Sequence, residues 1–147
     1  MILKLWGIWI VLFSVISCSG SKIKENSLMV PGGQTDCVQR ILARDSILGE
    51  VRNHATETTS VSKTVLDYTR ELNLLDYSNC PEEFKKAFHK HINAWLNIRS
   101  VSDKYPHLRG EMHDVFNEIE KTSDSVRFKQ LVGKIWETWA RVEKAAN

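Results

Sequence analysis

Apolar side chains recur at alternating steps of four and three residues through most of this chain. Val61, Val65, Tyr68, Leu72 and Leu75 make one such row, and Phe84, Phe88, His91, Trp95 and Ile98 make another. Residues at that spacing share one face of an α-helix, whereas a half-buried strand alternates every second residue. Only Pro81 and Pro106 interrupt the periodic region, and strand signals are almost absent from Asp36 onward. The fold class that follows is all-α.

Five helical segments are expected. The first begins near Asp36, with Gln39 as its capping partner, and turns Val38, Ile41, Leu42, Leu48 and Val51 inward before fading between Asn53 and Ser60. The second carries the row from Val61 to Leu75. The third starts after Asn79, with Pro81 in its first turn and Glu82 and Glu83 at the positive end of the helix dipole. A fourth shows Leu108, Met112, Val115 and Ile119. A fifth opens near Ser123 and presents Phe128, Leu131, Ile135, Trp139 and Val142. The break at Lys121-Thr122-Ser123 is weak, so the last two could also form one bent element. Each segment is apolar on one face only and must bury it against the others. Short connections favour antiparallel neighbours, so residues 35–147 are expected to form a four- or five-helix up-down bundle.

Ahead of that region the composition changes. Lys4 precedes a twelve-residue apolar core, Leu5 to Ile16. Such a run suits the hydrophobic stretch of a secretory signal and falls short of the ~20 residues a spanning helix needs. It ends in Val15-Ile16-Ser17-Cys18, which resembles the lipobox of bacterial lipoproteins. The resemblance covers the leader alone. It implies that residues 1–17 are removed as a signal peptide and that Cys18 is diacylated on sulfur with palmitate-type chains. It also implies that the new amino terminus is acylated. An ordinary cleaved signal with Cys18 incidental is the competing reading. Two or three acyl chains, at roughly 0.8 kcal/mol per buried CH₂, hold a protein on a membrane essentially permanently. Residues 18–34 are polar, contain Pro31-Gly32-Gly33 and show no period, so they read as a lipidated flexible tether. Ser19 stands where enteric lipoproteins kept at the inner membrane carry aspartate. The resemblance therefore implies an outer membrane of the bacterial envelope, with an inner or single plasma membrane as the alternative.

Loss of residues 1–17 removes one charge, Lys4, and leaves 130 residues with 19 basic and 18 acidic side chains. So balanced a surface speaks against nucleic acid as a partner. With Cys18 committed to lipid, Cys37 and Cys80 remain. An even pair in an oxidising compartment reads as a disulfide, here near the starts of the first and third helices, which share one end of an up-down bundle. No C-x-x-C spacing points to redox or metal chemistry instead.

Candidate site residues are few. His91 occupies a position in the third row where the period demands an apolar side chain, so burial and a hydrogen-bond partner are expected. Asp45 interrupts the first row in the same way and is a candidate partner, the two forming a buried polar site. Trp136 lies one position off the last row, beside Ile135, and is a candidate binding surface, since exposed tryptophans are enriched at binding hot spots. Trp95 and Trp139 fall on their rows and read as core. His89 and His91 are about 200° apart around a helix and cannot grip one ion together. A b-type haem or a metal held by His91 with Met112 is the alternative use of the bundle interior; no dedicated metal motif is present.

No nucleophile elbow, paired catalytic carboxylates or phosphate-binding glycine loop occurs in the sequence. The chain is therefore expected to be non-enzymatic: a lipid-anchored envelope lipoprotein whose bundle docks another envelope protein.

Overall fold

The computed structural model describes residues 33–147. The leader expected over residues 1–17, the lipidated Cys18 and the tether up to residue 32 lie outside the described residues. Six helical elements follow: α1 (Gln34–Ala55), α2 (Val61–Asn73), α3 (Glu82–Asn97), the single turn α4 (Arg99–Ser102), α5 (Met112–Ile119) and α6 (Ser125–Ala146). No strand occurs among the described residues. Among them, too, no helix is long and apolar enough to cross a membrane.

The expected helical bundle is borne out. Its long helices pack in the order α1, α2, α3, α6, and α1 and α6 do not pack along each other. Neighbours are antiparallel. Tyr68 of α2 reaches Asp45 of α1 and Trp95 of α3, while Ser62 near the start of α2 bonds Arg99 beyond the end of α3. His91 of α3 meets Thr138 of α6. The core is built from the rows seen in the sequence, with Phe84, Phe88, Ile98, Ile119, Phe128 and Val142 fully buried. Aromatic rings interlock in it: Phe84 and Phe88 lie 5.5 Å apart, and Phe116 meets Phe128 edge-on at 5.0 Å.

Cys37 and Cys80 sit at disulfide distance, with Cα atoms 5.2 Å apart across a sequence separation of 43. Both are buried, and they tie the first turn of α1 to the residue before Pro81, which caps α3. Arg40 reinforces that end by donating to the carbonyl of Asp76 at 2.9 Å.

Several expectations are corrected. Helix α1 starts at Gln34, inside the segment read as tether, with Gly33 as N-cap and no side-chain capping bond, so Gln39 has no capping role. Its buried row runs Val38, Ile41, Asp45 and Leu48 and reaches the half-buried Arg52; Val51 is 60% exposed. Val38, Ile41 and Leu48 are buried as expected and Leu42 partly so; the departure is at the end of the row, where Arg52 and not Val51 turns inward. In α6 the inward position is Thr138, and Trp139 is only half-buried. Helices α5 and α6 are separate, as the five-segment reading has them and not as one bent element. Tyr105 holds their junction: its hydroxyl donates to Asp124 at 2.7 Å and lies 2.8 Å from the Thr122 hydroxyl, and Lys104 pairs with Asp124.

Candidate functional site

Because α1 and α6 stand apart, a cleft of about 370 Å³ opens between them. Asp45, Ser46, Gly49, Glu50, Arg52 and Asn53 form the α1 wall, and Ile135, Trp136 and Trp139 form the α6 wall. Tyr68 of α2 with His91 and Trp95 of α3 make the floor. All three residues singled out from the sequence, Asp45, His91 and Trp136, lie here.

They are not arranged as expected. Asp45 does not pair with His91; its Oδ1 accepts from the Tyr68 hydroxyl at 2.6 Å. The reason is packing order, since α1 packs chiefly along α2 and brings Asp45 to the Tyr68 hydroxyl. Burial pushes the Asp45 carboxyl above the usual carboxylate range, opposed by the Tyr68 bond and by the charge of Arg52. Burial also raises the Tyr68 hydroxyl, with the Asp45 charge adding to the effect.

His91 has two partners of its own. The Trp95 indole N–H donates to Nε2 at 3.1 Å, and Nδ1 lies 3.1 Å from the Thr138 hydroxyl. An acceptor at Nε2 requires the neutral tautomer with its proton on Nδ1. Thr138 accepts that proton's hydrogen bond and passes its own to the carbonyls of Lys134 or Ile135, each at 2.9 Å. Burial is the main cause that pushes His91 down to about 4, and the nearby Arg52 charge acts in the same direction. To ligate haem or a metal, the ring would have to give up one of these bonds. Met112, the other ligand considered, is buried at the start of α5 and does not line the cleft.

Replacing Trp95 by Phe tests this arrangement. The ring volume is largely kept, but Nε2 loses its donor inside the protein. The expected cost is about 1–2 kcal/mol in denaturant unfolding, with the His91 pKa moving up when followed by NMR, because protonation no longer opposes an existing bond.

Arg52 was missed in the sequence. Its guanidinium carbon lies 3.8 Å above the Trp95 ring and 4.5 Å from the Tyr68 ring, a double cation–π stack. No carboxylate lies within ion-pair distance of it among the described residues, and its Nε and Nη2 both point at the Asn53 side-chain oxygen. Burial lowers its pKa, with Tyr68 and Asp45 opposing. The available signal was spacing: Arg52 follows Asp45 by seven residues, two turns along the same row.

The tryptophans divide by role. Trp95 is core and spends its N–H on His91; Trp139 is half-buried, 5.2 Å from the His91 ring, and donates to Glu143 at 2.9 Å. Trp136 is 67% exposed at the rim, and its N–H has no partner among the described residues. The cleft thus combines bare indole faces with a few fixed donors and acceptors, as binding pockets do. A second cluster, His54, Glu57 and Glu111, brings three ligand-type side chains within 4.8 Å of one another, but all are exposed.

Comparison with protein-family models, curated proteins and solved structures finds no match to this chain.

Proposed function

We propose that this chain is a lipid-anchored lipoprotein of the bacterial envelope whose helical bundle docks another envelope protein without enzymatic activity, using the cleft between α1 and α6. The observation that carries the docking role is Trp136. A large indole is left 67% exposed beside a concave floor of Tyr68, His91 and Trp95, while the other rows of the bundle bury their aromatics. Leaving that ring in water is unfavourable unless a partner covers it. Support for the anchor comes from the lipobox-type stretch Val15 to Cys18, and the Cys37–Cys80 pair suits an oxidising compartment. An outer-membrane destination follows from Ser19 by the same resemblance.

Site-specific photo-crosslinking tests the reading. A crosslinker placed at Trp136 in living cells is expected to capture one defined protein. The same crosslinker at Lys90, on the outer α3–α6 surface lined with Asn93 and Ala94, is expected not to. Equal capture from both positions, or none from Trp136, overturns the docking role. Labelled palmitate failing to enter the chain, or entering equally after Cys18→Ser, overturns the anchor.

A further inference from the structure

Folded domains take hold of a partner's polypeptide in several recurring ways, three of which seat a stretch of its main chain: adding a strand, seating a helix in a groove, or gripping a left-handed proline helix. Strand addition needs an unpaired sheet edge, and the described residues contain no strand. A seated helix needs a long apolar furrow. Here α1 lends the cleft only Asp45 to Asn53, about 12 Å of helix, and most of those side chains are polar. A proline helix needs flat aromatic faces for its rings and donors for the carbonyls its own backbone leaves unpaired. Both are present. Trp136 and Trp139 supply the faces, the Trp136 N–H is free among the described residues, and the Arg52 guanidinium, held beside Asn53, lines the same cleft. At ~3.1 Å per residue, 12 Å accommodates about four residues of such a helix.

Charge narrows the occupant further. Asp45 and Glu50 face the cleft against Arg52 alone, and the Arg52 charge is spread over the Trp95 and Tyr68 rings. A positive residue beside the prolines complements that balance, and a negative one does not. We propose that the cleft receives an extended, proline-rich segment flanked by a basic residue on the partner protein. This rests on the docking reading above and names the chemistry of that partner.

The probe is an acetylated peptide of proline residues preceded by one arginine, added to the full chain in micelles of a detergent without a sugar headgroup. The readout is the set of indole N–H resonances. Saturable movement of the Trp136 signal is expected, with a Kd between roughly 10 μM and 1 mM. An arginine–alanine peptide of equal length is expected to bind at least about tenfold more weakly, and Trp136→Ala to weaken the proline peptide by about tenfold. Glu50→Lys weakens it about threefold but leaves an arginine-free proline peptide unaffected. No movement at roughly 5 mM peptide, equal binding of the alanine peptide, or preference for a neutral oligosaccharide such as chitotriose each overturns the proposal. If the peptide fails while crosslinking from Trp136 still captures its partner, only the proline assignment falls. Should crosslinking fail as well, the docking reading falls with it.

Discussion

Replacing Cys37 and Cys80 together by alanine is expected to lower the stability of the bundle by about 4 kcal/mol, the chain-entropy value for a loop of this length. For a domain of this size that corresponds to a fall in Tm of roughly 15–20 °C. The effect is large because of where the bridge sits. Helix α1 packs along α2 and touches α5, and the bridge ties its first turn to the start of α3. Cys37 is buried at 1% exposure directly beneath that turn. Without the bridge, the stretch from Gln34 to Ala43 is expected to exchange its amide hydrogens fastest, while α3 and α6 keep theirs, since that pair forms the most extensive interface. Denaturant unfolding with and without reductant, followed by hydrogen exchange, checks both statements. A loss below about 1 kcal/mol would mean that the α1–α2 interface alone holds the end of the bundle.

A second large effect is a loss of stability in mild acid centred on His91. Its folded pKa is lowered from 6.5 to about 4, so the unfolded chain binds the proton more readily. Stability from this group is fully present above the unfolded pKa and is lost as pH falls from 6.5 towards 4. The loss approaches about 3 kcal/mol at the lower end. Asp45 acts with the opposite sign: its raised pKa makes the folded state hold a proton longer, so its contribution declines as pH rises. A comparison with His91→Gln separates the two. Glutamine can still accept from Trp95 and donate to Thr138, but it does not titrate, and Asp45 is common to both proteins. The stability difference between wild type and His91→Gln is therefore expected to shrink or reverse by about 3 kcal/mol between pH 7 and pH 4. A difference that stays constant over that range would show that His91 is not held neutral.

Much of this molecule was legible before its structure. The rows of α2 and α3 are buried as their spacing requires, from Val61 to Leu72 and from Phe84 to Ile98. Pro81 and the two glutamates after it marked the start of α3 within a residue. His91 was recognisable as buried because it interrupts an otherwise apolar row. Where the reading slipped, it did so at α1 and α6, and for one physical reason. A helix carries several overlapping apolar lines about 100° apart, and polar residues on the true line make a neighbouring line look better. Asp45 was recognised as an interruption of the α1 row, but Arg52 disguised the end of that row, where Val51 was expected, and Thr138 took the inward position expected of Trp139 in α6.

By itself, then, the order of residues determined that the chain is helical, which faces of α2, α3 and α5 turn inward, and that Cys37 and Cys80 would share one end. Periodicity, helix caps and the parity of cysteines are local or countable properties, and they survive without knowledge of neighbours. The tertiary structure alone decided the inward places of Arg52 in α1 and Thr138 in α6, the choice of Tyr68 over His91 as the partner of Asp45, and the existence of the cleft. Each depends on which helix lies beside which, because a buried polar group bonds to whatever packing brings within reach. The gap between α1 and α6 exists only because both lie at the outer ends of the same row of helices.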